Sequence, residues 1–273
     1  MTYISNSAVS THIGPSRSIA TDATFVDDIC GVYVVADSQV VAEGMRPPGV
    51  IITETVKHNA VVLARMLTDV EPTDPDPGTL RRAVVMLFSR AAKVMRSEYG
   101  LAEGEDGPMA SATLLVVGKG HAVIAHVGMT RAVLVRYDRL VRLSRSHSVA
   151  ARLIAEGDDI PEDSPLHKTL GQGVGQPKQL RVEVACCKVM DGDCFILSTD
   201  GVHESIEDSE LLQCHSGVET TAQLADAIAG LAARRTADDR TVIVVDIEDD
   251  EVEDEEDDSD GESDDHPLPN PFA

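Results

Sequence analysis

A short apolar run that ends in a carboxylate predicts the first buried strand. Residues 194–198, CFILS, lie between Asp193 and the pair Asp200-Gly201. A run of this length between turn signals is typical of a buried strand rather than a helix. Gly201 has no Cβ, so it allows the backbone to turn sharply. We therefore expect the Asp200 side chain to leave the strand end and face a cleft.

Two further apolar runs bring a carboxylate to the edge of a strand. Residues 30–36, CGVYVVA, are rich in β-branched side chains and lead into Asp37 and Ser38. Residues 241–247, TVIVVDI, closely follow Asp238 and Asp239. Two such strands can place Asp37 and Asp200 side by side.

Helical periodicity appears in two segments and predicts two long amphipathic helices, which we expect to be antiparallel. The apolar positions are Val56, Ala60, Leu63 and Leu67 in the first helix, and Leu80, Val84, Leu87, Ala91 and Val94 in the second. The connection, residues 71–78, contains three prolines and a glycine and predicts a loop. Neither helix can bury its apolar stripe without a sheet, so this loop is not interpreted as a domain boundary.

From residue 112 the spacing of apolar positions changes to that of strands. Residues 112–117, 122–127 and 132–137 are strand candidates joined by short glycine-containing connections, which predict antiparallel pairing in a meander. A helix near residues 148–156, a polar glycine-rich loop and a strand at residues 180–185 are predicted next. Thr220 with Gln223 resembles a capping box that opens another helix.

The order of these elements indicates the fold class. Strands, two helices, several strands, a helix and a last strand lack the regular alternation of a parallel doubly wound sheet. We therefore predict an α+β fold in which two packed antiparallel sheets are flanked by helices, an αββα sandwich of four layers.

Charge divides the chain into two parts. The 273 residues carry a formal net charge of −24, and residues 248–273 hold 14 Asp or Glu and no Lys or Arg. We predict one domain at residues 1–247 and a disordered acidic tail at residues 248–273. The tail is expected to be a solvated segment, with docking on a basic partner as the alternative. Because both parts are acidic, nucleic acid is an unfavourable partner.

Cysteine usage and hydropathy indicate a cytoplasmic protein. The five cysteines are odd in number and have no CxxC spacing, so we expect reduced thiols rather than disulfides or a zinc site. No apolar run of about 18 residues occurs, and the first residues do not follow the signal-peptide pattern. We expect no membrane association.

Three carboxylates are candidates for a metal centre. An isolated Asp-Gly pair is most often only a turn, but Asp37, Asp200 and Asp238 each lie at the edge of a predicted strand. If they converge, they repel one another unless divalent cations that prefer oxygen ligands, Mg²⁺ or Mn²⁺, lie between them. Two such ions activate a water for in-line attack at phosphorus or a carbonyl carbon.

Several motifs, in order along residues 10–247, resemble those of the metal-dependent Ser/Thr protein phosphatases of type 2C. The matching segments are residues 14–22 (GPSRSIATD), 35–37 (VAD), 111–113 (SAT), 125–131 (AHVGMTR), 146–148 (SHS), 192–201 (GDCFILSTDG) and 238–242 (DDRTV). The resemblance implies the four-layer sandwich fold. It also implies hydrolysis of phosphoserine and phosphothreonine in proteins by a water activated between two Mn²⁺ or Mg²⁺ ions.

The resemblance also implies roles for individual residues and partners. Arg17 corresponds to the phosphate-binding arginine, and Asp22 to an acidic residue beside the metals that orients water. The implied metal ligands are the bridging Asp37, the backbone carbonyl of Ser38, and the carboxylates of Asp200 and Asp238. Phosphorylated proteins are the implied substrates, and a Ser/Thr kinase is a candidate partner.

The chain departs from the family pattern near the metals, and these departures support an alternative function. Thr21 stands in place of Glu, and Ser38 in place of a glycine that tolerates positive φ. Met129 replaces an Asp that helps to hold a third ion, and a thioether is a poor ligand for a hard cation. The alternative is a catalytically impaired phosphatase-like domain that binds phosphoproteins or a partner kinase.

Overall fold

The computed structural model describes residues 3–15, 19–68 and 77–249, and these form two five-stranded antiparallel sheets. The first sheet has the spatial order β1 (Tyr3–His12), β10 (Arg240–Asp249), β9 (Cys194–Ser198), β6 (Arg131–Arg136) and β7 (Arg139–Arg142). The second has the order β2 (Asp22–Asp27), β3 (Val32–Ser38), β4 (Ala110–Gly118), β5 (His121–Val127) and β8 (Glu183–Lys188).

Helices cover the outer face of each sheet. Those of the described residues are α1 (Pro48–Lys57), α2 (Ala60–Thr68), α3 (Pro77–Glu98), α4 (Val149–Glu156), α5 (Asp200–His203), α6 (Asp208–Ser216) and α7 (Thr221–Ala232). Strand β3 shows how the layers form, because successive side chains of a strand face opposite ways. Tyr33 and Val35 pack between the sheets, whereas Val32 and Val34 pack under α1 to α3. A third core lies between the first sheet and α5 to α7. The predicted four-layer αββα sandwich is confirmed.

The strands that were predicted from apolar runs are present, but one of them pairs differently. Strands β4 and β5 form the expected antiparallel pair. Strand β6 leaves that sheet and pairs with β9 and β7, so the prediction of a three-stranded meander is wrong. Gly128, with φ +103°, begins the crossing, and a Cβ there would lie 2.6 Å from Ser111 Cα. A short connection with a positive-φ glycine can therefore join two sheets as well as two paired strands.

The first predicted helix is two helices, α1 and α2. The Asn59 carbonyl accepts hydrogen bonds from Val62 N and Leu63 N, both at 3.0 Å, so Asn59 begins a new helix in the manner of an N-cap. The second predicted helix is confirmed as α3, but residues 71–76 of the predicted loop lie outside the described residues.

Two other boundaries differ from the prediction. Strand β8 begins at Glu183 rather than at residue 180, because its register is set by pairing with β5, from His126↔Glu183 to His121↔Lys188. At Thr220 half of the predicted capping box is present: the Thr220 hydroxyl accepts from Gln223 N at 3.2 Å, but the Gln223 side chain accepts from Glu219 N.

The last strand passes the predicted domain boundary. Strand β10 continues to Asp249 and pairs there with Tyr3, two residues beyond the expected end at 247. The rest of the predicted acidic tail, residues 250–273, lies outside the described residues. No helix in the described ranges combines the length and apolar character needed to cross a membrane.

Candidate active site

Most of the candidate carboxylates lie at one end of the sandwich because the strands that carry them start or stop there. Strand β2 begins at Asp22 and β3 ends at Ser38, one residue after Asp37. Strand β9 ends at Ser198, two residues before Asp200, and β10 begins at Arg240, two residues after Asp238. The antiparallel pairing of β2 with β3 and of β9 with β10 brings these termini together.

Asp22 and Asp37 are directly opposed across the β2–β3 pair. Asp22 is buried, with 9% of its surface exposed, whereas Asp37 is half-buried. The backbone continues this pairing for one more residue, because Ser38 N donates to Thr21 O at 3.1 Å. The two carboxylates therefore come from neighbouring strands at the same edge of the second sheet.

Ser38 takes the place of a glycine without adopting a glycine-like backbone. Its φ is not in the positive region, so serine fits this position without backbone strain. Its buried hydroxyl accepts a hydrogen bond from Gly49 N at 2.7 Å, at the start of α1. Serine thus stabilises the beginning of a helix.

Asp200 lies in the first turn of the short helix α5, which Thr199 precedes. Gly201 is needed here for a reason other than a sharp turn. Its φ is not positive, but a Cβ at this position would lie 2.0 Å from Asp239 O and 3.4 Å from Asp238 Cβ. Glycine therefore allows the segment that carries Asp200 to lie against the segment that carries Asp238.

Buried hydroxyl groups join β2, β9 and β10 at this end. The Thr199 hydroxyl donates to Asp22 Oδ2 at 2.8 Å and accepts from Thr241 N at 3.1 Å. The pKa of Asp22 is raised to about 7, chiefly by burial and also by the negative charges of Asp239 and Asp200, against the lowering effect of the threonine hydroxyls. Asp22, Asp200 and Asp239 therefore form one electrostatic cluster of carboxylates.

Asp239 is a residue of this site that sequence reasoning missed. Only 2% of its surface is exposed. Its Oδ1 accepts from Gly14 N at 2.7 Å, and its Oδ2 accepts from Thr21 N and from the Thr21 hydroxyl, both at 2.7 Å. Thr21, which stands in place of the Glu of the phosphatases that the sequence resembles, thus donates its hydroxyl to the Asp239 carboxylate.

The structure describes Asp238 but not Arg17. Asp238 is half-buried, and its Oδ1 accepts from Asp239 N at 2.8 Å. Arg17 lies outside the described residues, together with Ser16 and Ser18. Both flanks of this segment are nevertheless held by one group, because Asp239 binds Gly14 on one side and Thr21 on the other.

A neutral polar network lies beside the cluster. His126 Nε2 bonds the Gly128 carbonyl at 3.1 Å, so Nε2 carries the proton and Nδ1 accepts from the Thr113 hydroxyl at 2.9 Å. The Thr113 oxygen in turn accepts from Thr130 at 2.7 Å. Burial, and then the nearby His147, lower the pKa of His126 to about 3. The imidazole is therefore held neutral.

Two other histidines that could donate protons have structural partners instead. His147 Nδ1 accepts from Gly128 N at 3.1 Å, and its ring lies 4.9 Å from that of His126. His203 Nδ1 bonds the Ser198 hydroxyl at 3.1 Å, and burial holds its pKa well below the usual range. These contacts favour structural roles for both residues.

Met129 does not supply a ligand side chain for a hard cation. It is buried, and its backbone N–H donates to the Ser111 hydroxyl at 2.9 Å. Ser111 stands in the SAT segment that resembles a family motif. The pair holds the crossing from β5 to β6 in place.

The chemistry of the donor set fits magnesium or manganese. The side chains gathered here offer carboxylate and hydroxyl oxygens. Buried negative charge of this kind is stabilised by a hard divalent cation. Within the described ranges, no three Asp, Glu, His or Cys side chains are arranged around one point as a metal-binding group. The metal-ligand set therefore stays a proposal.

Known proteins with similar sequences are bacterial protein phosphatases. The protein phosphatase PhpP of Streptococcus pneumoniae is 24% identical over 166 residues, which are 57% of this chain and 65% of PhpP. The Ser/Thr protein phosphatase PstP of Mycobacterium tuberculosis is 24% identical over 221 residues, which are 80% of this chain and 42% of PstP. The match thus spans less than two thirds of either relative, and no family model matches the chain.

Solved structures of the same class have the same fold. The crystal structure of M. tuberculosis PstP superposes with a TM-score of 0.72 and 21% identity over 90% of this chain and 100% of that chain. A structure of the PstP catalytic domain in complex with two manganese ions gives a TM-score of 0.71. PppA, a regulatory component of the type VI secretion system of Pseudomonas aeruginosa, gives 0.70 at 23% identity, over 90% of this chain and 99% of that chain. The resemblance to type 2C Ser/Thr phosphatases is confirmed for the fold.

Proposed function

We propose that this protein is a metal-dependent phosphatase that hydrolyses phosphoserine and phosphothreonine in proteins. The observation that carries the proposal is the gathering of carboxylates at one end of a phosphatase-like sandwich. Asp22 is buried there beside Asp200 and Asp239, and Asp37 lies directly across from it. The phosphatase relatives and the two-manganese structure of PstP support the same activity.

In this proposal Asp37, Asp200 and Asp238 hold two Mn²⁺ or Mg²⁺ ions, with the Ser38 carbonyl as a further ligand. When bound, such ions neutralise the phosphate charge and make a water nucleophilic at neutral pH. Asp22 accepts a hydrogen bond from the attacking water and orients it. Because the Thr199 hydroxyl already bonds Asp22 Oδ2, the Asp22 side chain is held in place for this task.

Arg17 is proposed to bind two phosphate oxygens through its planar guanidinium. Asp239 supports this role indirectly, because it fixes the backbone on both sides of residues 16–18. The third-ion site of the family is not proposed here, since Met129 offers only a thioether.

We further propose a cytoplasmic location and phosphoproteins as substrates, with a Ser/Thr kinase as the opposing enzyme. The thiols support the location, because all five cysteines, Cys30, Cys186, Cys187, Cys194 and Cys214, are free in the described residues, as is usual in a reducing compartment.

Asp200→Asn tests the proposal in the full chain. We expect its turnover of a phosphoserine peptide in Mn²⁺ to fall by about 100-fold or more, and its calorimetric Mn²⁺ affinity to fall with it, because a metal ligand is lost. Asp163→Asn is the matched control, since Asp163 is an exposed loop carboxylate. Asp163→Asn should keep both properties.

Two outcomes would count against the proposal. Unchanged turnover and Mn²⁺ affinity in Asp200→Asn would remove Asp200 from the site. Mn²⁺ binding without turnover in the unsubstituted protein would favour the alternative, a catalytically impaired phosphatase-like domain that binds phosphoproteins or a kinase.

A further inference from the structure

The outer helical layer over the second sheet contains an apolar groove between α2 and α3. The groove encloses about 420 Å³ and is lined by Val62, Leu63, Met66, Met86 and Leu87, with Arg90 and Lys93 at its edge. Met86 is 71% exposed and Val62 is 51% exposed. Large apolar side chains grouped in this way on a surface are typical of an interaction site.

The charge of this face is opposite to that of the rest of the protein. Helix α3 carries five Lys or Arg and one Glu, in a chain whose net charge is −24. Arg81, Arg90 and Lys93 are exposed, and within the described part of the chain none of the three forms an ion pair. Cations beside an apolar groove favour an acidic, partly apolar partner.

One segment of the same chain has that chemistry. Residues 250–273 contain 12 Asp or Glu and no Lys or Arg, and residues 266–273, HPLPNPFA, contain Leu268 and Phe272. An acidic run followed by apolar side chains complements a groove that is apolar inside and basic at its edge.

The fold places the start of this segment near the groove. Asp249 pairs with Tyr3, and a Cβ at Gly120, in the β4–β5 turn, would lie 3.8 Å from the Tyr3 ring. At the other side of that turn, a Cβ at Gly118 would lie 3.2 Å from Leu67 Cβ on α2. The Tyr3 ring and the β4–β5 turn thus lie between Asp249 and the end of α2.

We propose that residues 250–273 bind in cis to the groove between α2 and α3. The acidic run lies along Arg90 and Lys93, and Leu268 and Phe272 cover Val62 and Met86. The 24 residues after Asp249 span on the order of 80 Å when extended, so they reach any part of the groove. Attachment to the same chain gives the segment an effective concentration in the millimolar range, which allows a weak contact to be occupied.

This inference does not depend on the proposed hydrolase activity, because the groove lies on the outer face of the helices rather than among the carboxylates. It assigns the acidic segment a specific basic partner, the α2–α3 face of its own domain.

A photo-crosslinker at position 86 of the full chain tests the proposal. With p-benzoylphenylalanine in place of Met86, we expect irradiation to join position 86 to a peptide within residues 250–273 of the same molecule. The readout is the mass of the crosslinked peptide, in a species that runs as a monomer. The yield should fall several-fold when salt shortens the Debye length from about 10 Å at 0.1 M to about 3 Å at 1 M.

Matched variants separate the groove from the general surface. The same crosslinker at Ile154, which is 48% exposed on α4, should give little product with residues 250–273. In the position-86 protein, Arg90→Glu with Lys93→Glu should lower the yield several-fold. Arg234→Glu, at an exposed arginine after α7, should not lower it. A thermal unfolding curve for each variant checks that the domain is intact.

Any one of three results overturns the proposal. These results are no product between position 86 and residues 250–273, equal product from position 154, or a yield that Arg90→Glu with Lys93→Glu does not change. Product only in a crosslinked dimer would mean that a second copy occupies the groove in trans.

Discussion

Two buried carboxylates, Asp22 and Asp193, lie at opposite ends of the sandwich and have neighbours of different charge. Asp193 is 1% exposed and accepts two hydrogen bonds from the Arg136 guanidinium at 2.6 Å and one from Met190 N at 2.9 Å. Asp22 is held by the Thr199 hydroxyl, and its charged neighbours in the described part of the chain include the carboxylates Asp200 and Asp239.

The difference shows how a structural charge differs from one that is kept for chemistry. A buried ion pair whose hydrogen bonds are all made does not need an ion from solution to balance its charge. A buried carboxylate among other carboxylates is costly, and its cost is offset when a cation binds. The end of the sandwich that gathers several carboxylates is therefore the end where we expect function.

The largest expected effect comes from removing the compensated charge. Asp193→Asn leaves the buried Arg136 guanidinium without its counter-charge, which should lower the free energy of unfolding by about 3–5 kcal/mol. Asp22→Asn is the contrast: in metal-free protein it removes a repulsive charge and should not be destabilising. Urea unfolding of both variants in chelator measures this. Equal losses of stability in the two variants would contradict the comparison.

A smaller effect concerns His126, the neutral group beside the site. Its pKa is lowered to about 3 in the folded state from about 6.5 when unfolded. As pH falls below about 6.5 the unfolded state takes up a proton that the folded state does not, so stability decreases toward low pH. Between pH 7 and pH 5 this single group should cost about 2 kcal/mol.

His126→Asn should remove that part of the pH dependence. Denaturant unfolding of both proteins at pH 7 and pH 5 gives the difference directly. If the variant loses as much stability between the two pH values as the unsubstituted protein does, His126 is not the titrating group.

The third and smallest effect tests whether Asp239 acts as a positioning residue. In Asp239→Asn an amide takes the place of one of the two oxygens that accept from Gly14 N and Thr21 N. The segment that carries Arg17 then loses one anchor. We expect KM for a phosphopeptide to rise about tenfold, or about 1.4 kcal/mol, with a smaller change in kcat, because phosphate binding is affected first.

Steady-state kinetics of Asp239→Asn distinguish positioning from loss of fold. A matching fall in kcat without a change in KM would instead place Asp239 among the groups that act on the reacting atoms. Unchanged kinetics would mean that the segment needs only one of its two anchors.

The sequence predicted the elements whose signal is local and strong. Strands β4, β5, β9 and β10 are nearly continuous apolar runs because both faces are buried in the four-layer sandwich, and this pattern is plain in one sequence. Strand β1 was missed because it alternates half-buried and exposed residues, including Ile4 at 50% exposure. A strand with weak apolar content gives little periodic signal.

Features that depend on contacts between distant residues could not be predicted from the sequence alone. The crossing of β6 into the first sheet starts from Gly128, whose close contact with Ser111 is visible only after folding. Asp239 is similar. Two consecutive aspartates before a strand could suggest that one of them is structural, but its partners, Gly14 and Thr21, lie more than 200 positions away.

The most direct test of the central claim is the rate of phosphate release from a phosphoserine peptide by the purified full chain, measured against the concentration of free Mn²⁺. The account predicts a rate that rises and saturates with Mn²⁺, falls to background in excess chelator and returns when Mn²⁺ is restored. A rate that is undiminished by chelator would contradict the account, and so would the absence of any release at saturating Mn²⁺.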